Sequence, residues 1–218
     1  MINRRKVIKR LLAAGAGILI FFNQAGGGLR LIWAKAKRRL LERGTPMSKL
    51  IHANPARVDI SNLETTPIDQ FDVMGETTYS VNIDEWHLQI EGEVQQPMQL
   101  TYRELIERPK LERNVLLVCP GFFAYNGLWK GFSVADLLKE AGIKPGATTI
   151  SFSGSGGFRK KNRRFPIEEV LDDRLFIAYN VNGQQLPQRH GFPMRLVAED
   201  HKGHRWVKYV NRVTVITG

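Results

Sequence analysis

Apolar and polar residues along this chain either alternate or run together, in patterns that predict several short strands and a few short helices. The strongest apolar run, Asn114–Cys119, predicts a strand that ends at the only cysteine of the chain. A Pro-Gly pair ends that strand at once, and a loop is predicted from there to an aromatic and glycine-containing corner at 129–132. Ser133 then caps a helix predicted over residues 134–141.

The rest of the chain carries weaker patterns of the same kind. Residues 86–94 alternate apolar and polar side chains and close on a glycine, which predicts a strand followed by a turn. Thr101 and Glu104 have the spacing of a capping box, so a short helix is predicted from Thr101 to Leu105. Further strands are predicted at 149–153, 175–181 and 212–217, and a short helix is predicted to begin within 165–170.

The formal net charge of +11 raises the question of a polyanionic partner. Residues 1–44 hold eleven Lys or Arg residues and one acid, so that only about +1 is left for residues 45–218. The body of the chain therefore has no excess of positive charge of the kind that binds nucleic acid, and nucleic acid is not expected as a partner.

The basic N-terminus resembles the twin-arginine export signal. Asn3–Lys9 has the required order of a polar residue, two arginines, any residue, two apolar residues and a lysine. The apolar run at 11–22 is short for a membrane span and typical of a signal-peptide core. We expect export to the periplasm as a folded protein, which suits a cofactor that is inserted beforehand; the alternative is a basic start to an ordinary helix.

The segment after the signal has two interpretations. Residues 29–41 place apolar side chains on one helical face and basic side chains over much of the rest, which is typical of a helix on an anionic membrane surface. The alternative is a signal tail with no role in the folded state, and the sequence does not decide whether the signal is cleaved. We predict a signal with a membrane-surface anchor over 1–44, a linker over 45–65 and a folded domain over 66–218.

A lone cysteine is either a small buried hydrophobe or a chemical group. Here Val118 and Cys119 are followed, after nine residues, by Trp129-Lys130-Gly131-Phe132 and the predicted helix. This pattern resembles the core of the sulfite-oxidase family of molybdopterin-dependent oxidoreductases. The resemblance implies an α+β fold of mixed sheets with short helices, a molybdenum–molybdopterin cofactor, and Cys119 as the catalytic thiolate ligand of molybdenum. A soft thiolate suits a redox-active transition metal.

A second motif supports the same resemblance. Leu186–Val197 and the lysine at 208 resemble the region with which relatives bind the pterin phosphate and ring edges. Carried over residue by residue, this implies a cofactor-binding set of His190, Arg195, Trp206, Val207 and Lys208. Arginine and lysine pair well with phosphate, although Arg195 alone is more typical of an ordinary sheet edge and His190 alone of an ordinary turn.

The first motif departs from that of the sulfite-oxidising relatives. These carry F-F-x-R-x-H where residues 71–76 read F-D-V-M-G-E, and they have an arginine soon after the cysteine where this chain has none. The related methionine-sulfoxide reductases have a tryptophan at the place of Phe123 and a cofactor-binding asparagine at the place of Asp69. The resemblance implies cofactor contacts for Asp69, Phe71 and Asp72. Candidate pocket-lining residues are Met74, Phe123 and Tyr125. The aromatic residues Phe122, Phe123, Tyr125 and Trp129 predict an aromatic entrance that suits an uncharged or thioether-like group.

A glycine-rich turn begins at Gly154 and is followed by five cations up to Arg164. Backbone N–H groups and charge together could bind an anion there, so Gly154 is a candidate cofactor-binding residue. The alternative is a solvated basic hairpin.

The sequence as a whole predicts an exported molybdopterin-dependent oxidoreductase that transfers an oxygen atom to or from a small molecule, such as a sulfoxide or sulfite. One cysteine and no C-x-x-C-H motif exclude an iron–sulfur cluster or c-type haem within this chain, so electrons are expected to pass to a separate haem protein or cytochrome. Two alternatives remain: a zinc enzyme using Cys119, His201 and His204, and a membrane-attached binding module that keeps the fold without the cofactor.

Overall fold

The computed structural model describes residues 38–155 and 161–218. The twelve strands of this part of the chain are β1 (Arg39–Leu40), β2 (Val58–Asp59), β3 (His87–Gly92), β4 (Met98–Thr101), β5 (Leu111–Cys119), β6 (Phe123–Ser133), β7 (Ala147–Gly154), β8 (Lys161–Pro166), β9 (Leu175–Val181), β10 (Gln184–Gln185), β11 (Arg195–Ala198) and β12 (Val210–Thr217). Its three α-helices are α1 (Tyr102–Ile106), α2 (Val134–Ala141) and α3 (Ile167–Leu171). The fold is therefore α+β, as the sequence predicts.

Two five-stranded mixed or antiparallel sheets form the framework. One has the order β10-β9-β6-β5, with β11 also paired to β9, and the other has the order β4-β3-β12-β7-β8. A third, two-stranded sheet pairs β1 with β2 in parallel. Large apolar residues from both five-stranded sheets and from α2 join one buried cluster, which includes Leu137, Ile150, Phe176 and Val213. The sheets therefore share one main core.

The β5–β6 hairpin is the element in which the prediction from sequence was wrong. Pro120 and Gly121 do end β5, but the residues after them form the eleven-residue strand β6, antiparallel to β5 and in register from Leu111–Gly131 to Cys119–Phe123. The amide of Phe122 donates to the carbonyl of Cys119 at 3.0 Å, and Gly121 has φ of +79°. Proline followed by a glycine with positive φ is the signature of a type II turn, so this pair reverses the chain.

The three helices begin where local sequence signals place them. Thr101 and Glu104 make both hydrogen bonds of the predicted capping box at the start of α1. The Ser133 hydroxyl accepts from the amide of Asp136 at 3.1 Å at the start of α2. The third helix was predicted within 165–170 and begins at Ile167, because Phe165 and Pro166 still belong to β8.

The segment from Arg39 to Leu63 covers the outer face of the β5–β6 hairpin. It contains 3-10 helices at Met47–Leu50 and Pro55–Arg57. Its apolar side chains bury a second, smaller cluster with the hairpin, made of Leu41, Leu50, Val58, Leu63, Leu116, Val118 and Ala124. The helix predicted over 29–41 is wrong at its end, because Arg39–Leu40 is a strand; residues 29–37 lie outside the described residues, as does the twin-arginine motif.

Within the described ranges, no helix is both long enough and apolar enough to cross a membrane.

Candidate active site

Cys119 lies at the end of β5, where the alternation of the strand gives it the same orientation as Val115 and Leu117. Both of those residues belong to the main core, and Cys119 is half-buried against it. Its Sγ is 3.9 Å from the Sδ of Met74, which comes from the irregular segment before β3. Burial raises the pKa of the Cys119 thiol, and Lys161 opposes that shift. The strand thus places the thiol in a cleft rather than in the core interior.

Arg195 is the most buried charge of the site, with 4% of its surface exposed. It begins β11, and its guanidinium carbon lies 5.0 Å from the Trp129 ring centre and 5.2 Å from that of Trp206. One Nη donates to the carbonyl of His190 at 2.9 Å, whereas the buried Nε has no hydrogen-bond partner within the structure. A buried donor without a partner is costly, which indicates that Arg195 is built to meet a ligand.

Lys161 and Lys208 bring two more cations to the same cleft. Burial, together with Arg163 and Arg195, lowers the pKa of Lys161 to about 8. Burial, together with Arg195 and Lys161, lowers the pKa of Lys208 to about 8 as well. Both shifts show that the cations repel one another in a poorly solvated space, which an anion would relieve.

His190 lies at the end of the 3-10 turn Gln188–His190 and is 2% exposed. Burial and the neighbouring cations Arg195, Arg189 and Lys208 lower its pKa to about 4, so the imidazole is neutral at pH 7. The Nε of Arg189 donates to Nε2 of His190 at 3.2 Å, and an Nη of Arg189 donates to the carbonyl of Phe71 at 2.7 Å. Arg189 therefore ties the His190 turn to the segment that carries Asp72 and Met74.

One cleft collects most of the residues implied by the resemblance. Those that line it are Asp72, Cys119, His190, Arg195, Trp206 and Lys208, together with the predicted pocket residues Met74, Phe123 and Tyr125. They come from four distant stretches of the chain, so only the folded topology brings them together. Of the side chains that line the cleft, three are Lys or Arg and one is a carboxylate, which makes it a site for an anionic ligand.

Four implied residues lie outside the lining. Asp69 is exposed in the 3-10 turn Ile68–Gln70. Phe71 packs on a lining residue: its ring is stacked on that of Tyr125, with 3.8 Å between ring centres. Val207 is buried, and its carbonyl accepts from the amide of Leu196 at 2.8 Å. Gly154 ends β7, where an added Cβ would lie 2.2 Å from the carbonyl oxygen of Lys208, so the glycine allows the lysine's backbone to approach.

The predicted aromatic entrance is only partly correct. Phe123 and Tyr125 line the cleft, but Trp129 is fully buried behind it, and Phe122 is 68% exposed at the tip of the β5–β6 hairpin. The tip position follows from the type II turn, which puts Phe122 outside the paired strands.

Lys161 lines the cleft but was not singled out from the sequence, where it is one of the five cations after Gly154 that could bind an anion. The basic stretch after Gly154 was interpreted as a turn, whereas residues 161–166 form β8. Phe165 is buried, and in a strand Lys161 and Arg163 share its face. Because side chains alternate along a strand, counting back in steps of two from buried Phe165 would have placed Lys161 on the face that points toward the core.

The zinc alternative is not supported by the positions of its ligands. His204 lines the cleft, but Nε2 of His201 is engaged with the Glu169 carboxylate at 2.6 Å and its ring lies on Phe165. In the described part of the chain, no three His, Cys, Asp or Glu side chains form a group that could hold a metal ion. The lone thiol fits a metal that brings its own additional ligands.

The cleft fits a molybdopterin. Such a group carries an anionic phosphate and leaves one metal position for a protein thiolate, and the cleft offers one thiol, three cations and the unpartnered Nε of buried Arg195.

Comparison with known proteins agrees with this fit. The family profile described as "Oxidoreductase molybdopterin binding domain" matches residues 74–218. "Nitrate reductase [NADH] 1" of Arabidopsis thaliana is 31% identical over 164 residues, which is 62% of this chain and 18% of that protein. "Uncharacterized oxidoreductase YuiH" of Bacillus subtilis is 28% identical over 122 residues, or 56% of this chain and 60% of that protein.

A solved structure has a similar fold over most of the length of this chain. The sulfane dehydrogenase SoxCD from Paracoccus pantotrophus superposes with a TM-score of 0.61 at 25% identity, covering 84% of this chain and 51% of that chain. This chain therefore belongs to the family of oxidoreductase molybdopterin-binding domains, and its cofactor is molybdenum–molybdopterin. It spans about a fifth of the length of the plant nitrate reductases that it matches.

Proposed function

We propose that this chain catalyses two-electron oxygen-atom transfer on a small sulfur compound, by sulfoxide reduction or by sulfite-type oxidation, and exchanges electrons with a separate redox protein. The observation that carries the proposal is the convergence of Cys119 with Lys161, Arg195 and Lys208 in one cleft. A thiol that could bind the metal and cations that could bind the cofactor's anionic groups share one cleft, which supports a catalytic domain over a non-catalytic module of this fold.

The residues of the chain have separable parts in this function. The Cys119 thiolate would hold the metal, and Arg195 and Lys208 would bind the cofactor's anionic groups. Trp129 and Trp206 fix the direction of the Arg195 guanidinium and exclude water around it. When bound, the cofactor supplies the redox-active metal at which an oxygen atom is gained or lost.

Two substrate classes follow from two sets of residues that line the cleft. Met74, Phe123 and Tyr125 give an apolar wall that suits a thioether or sulfoxide, whose reduction takes up two electrons and two protons and releases water. Lys161 gives a cation, which suits sulfite, whose oxidation takes an oxygen from water and releases two protons and two electrons. Lys161 thus supplies the positive charge whose absence after Cys119 argued against sulfite from sequence.

Export by the twin-arginine route and attachment to a membrane surface through residues 1–44 belong to the same proposal. A molybdopterin must be enclosed before translocation, and the motif at Asn3–Lys9 is of the type that exports folded proteins. The proposed chain organisation is accordingly a signal and anchor over 1–44, a linker over 45–65 and the catalytic domain over 66–218.

The test is metal analysis of the purified full chain, followed by turnover with dimethyl sulfoxide and a reduced dye, and separately with sulfite and an oxidised dye. We expect close to one molybdenum per chain and activity with one substrate class. If sulfite is the substrate, Lys161→Met should impair turnover; if a sulfoxide is the substrate, the same change should leave turnover unaffected. A folded protein that contains no molybdenum after expression with cofactor supply would refute the proposal.

A further inference from the structure

A strip of positive charge lies beside the mouth of the cleft. It consists of Lys161, Arg163, Lys202, His204 and Arg205, from β8 and from the 3-10 turn Gly203–Arg205, and we call it the basic rim. The Nε of Arg163 donates to the carbonyl of His204 at 2.7 Å, which joins strand and turn. Burial lowers the pKa of His204, and the four Lys and Arg residues of the rim all lower it further, so their charges act on one small area.

The basic rim is held rigidly and close to Cys119. An Nη of Arg205 donates to the carbonyl of Arg164 at 2.5 Å, and its guanidinium lies 4.1 Å from the centre of the Phe165 ring. A Cβ added to Gly203 would lie 3.3 Å from the carbonyl oxygen of Val118, the residue before Cys119. The turn thus rests on the strand that carries the thiol, and Lys161 and His204 belong both to the rim and to the cleft.

The ion pairs between described side chains include none of the rim residues. Of the carboxylates near the rim, Glu169 pairs with His201 and Glu199 pairs with Arg113. The arginines instead donate to backbone carbonyls, which fixes their direction without neutralising them. Met74 in the cleft lining and Phe122 at the tip of the β5–β6 hairpin are exposed apolar side chains, 49% and 68% respectively.

We propose that the basic rim is the docking surface for the acidic face of a separate electron-transfer protein. This rests on the proposed function, because it needs an electron carrier, and two observations favour this partner. The rim's cations, which form no ion pair within the described residues, attract an acidic surface, and the residues shared with the cleft bring a docked protein to it. A rim charge chiefly sets association rate and salt dependence, as a transient redox contact requires. Interfaces of this kind are small and weak.

The experiment compares two charge-reversal variants of the full chain. Arg163→Glu with Lys202→Glu removes the rim's charge, whereas Arg103→Glu with Lys139→Glu makes the same change of net charge on α1 and α2. The side chains of Arg103 and Lys139 are 88% and 68% exposed. Both rim substitutions leave the residues of the proposed cofactor site unchanged.

The probes are an acidic plastocyanin, a basic mitochondrial-type cytochrome c, and phosphatidylglycerol vesicles, with binding measured by calorimetry or NMR at about 20 and 200 mM salt. We expect wild type to bind plastocyanin and not cytochrome c. The rim variant should lose about tenfold or more in affinity and most of the salt dependence, and the control variant should stay within about twofold of wild type.

Three results would overturn the proposal. Equal weakening of plastocyanin binding in both variants would assign the effect to net charge. Absence of plastocyanin binding by wild type would show that the basic rim is not a docking surface for an acidic protein. Rim-dependent binding of vesicles without binding of plastocyanin would make the basic rim a membrane contact. These readings need no turnover, so they stay separate from a failure of the proposed function, which the molybdenum content reports.

Discussion

The two faces of the β5–β6 hairpin differ in size and in role. One face carries Val115, Leu117, Tyr125 and Trp129 into the main core, and its last position is Cys119. The other face buries the apolar residues Leu116, Val118 and Ala124 under the segment Arg39–Leu63. Strand alternation makes the faces chemically independent although the residues are neighbours in sequence. The site therefore depends on one face, and the other contributes stability.

The largest effect is expected from Cys119→Ser. Loss of the thiolate should reduce molybdenum content to background and activity by more than about a hundredfold, since hard serine oxygen is a poor substitute for a soft ligand. The melting temperature should change little, because Cys119 is half-buried at the edge of the core. Metal analysis and circular dichroism measure the two quantities.

Met74→Leu is the matched control for Cys119→Ser, because Met74 is the only residue whose sulfur contacts the Cys119 thiol in the described part of the chain. It should retain molybdenum. Retention of metal in Cys119→Ser would mean that the thiol is not a ligand and that the inner face of the hairpin has no special role.

A smaller effect, and one confined to stability, is expected for Leu50→Ala on the outer face. Leu50 is 1% exposed within the second cluster, and truncation of a buried leucine costs about 2–5 kcal/mol of unfolding free energy. Molybdenum content below the melting temperature should match wild type. Urea unfolding with metal analysis tests this, with the partly buried Met47→Ala as a milder control; loss of metal in folded Leu50→Ala would show that the faces are coupled.

The same alternation explains what the sequence could and could not reveal. The strand into Cys119 and the capped helices follow from local patterns, and the cofactor family follows from the resemblance of two motifs to known relatives. The hairpin did not, because Pro120 and Gly121 were interpreted as an end rather than as a type II turn. Lys161 was missed since its place depends on β8 pairing with β7, a contact across a turn. Most of the cover formed by residues 39–63 was predicted only as a linker, because its apolar residues have no period and are buried only against the hairpin.

The cations that line the cleft should give the stability of the folded protein a distinct pH dependence. Lys208 has its pKa lowered to about 8 in the folded state, below the ordinary 10.5, so the unfolded state binds more protons between these values. Its contribution therefore destabilises the fold below pH 8, and stability should rise as pH increases from about 8 toward 10.5. The thiol of Cys119, with its raised pKa, acts in the opposite direction, so the measurement is made in cofactor-free Cys119→Ser.

Lys208→Met in that background is the comparison. It loses the hydrogen bonds of Lys208 to the carbonyls of Glu76 and Arg189, so its stability should be lower throughout, but the rise above pH 8 should be smaller. Thermal melts from pH 7 to 10 measure the slope. An unchanged slope would show that Lys208 is solvated and not part of a buried cationic set.

The smallest expected effect is a change in the protonation of His190, which lines the same cleft as Cys119. Arg189 lowers the pKa of His190 and donates to its Nε2, which leaves the imidazole proton on Nδ1. Arg189→Met should therefore raise the pKa of His190 above about 4 and release the Nε2 position to carry the proton. Nitrogen chemical shifts of the ring in a titration from pH 3 to 8 report both changes.

Gln188→Ala separates this electrostatic effect from anchoring of the loop. The Gln188 amide donates to the carbonyls of Thr78 and Tyr79 at 3.2 and 3.0 Å, so it holds the same segment without an interaction with His190 in the structure. Its loss should leave the ring's pKa and tautomer unchanged. If both variants shift His190 alike, the position of the segment sets the ring's state, and if neither does, burial alone keeps His190 neutral.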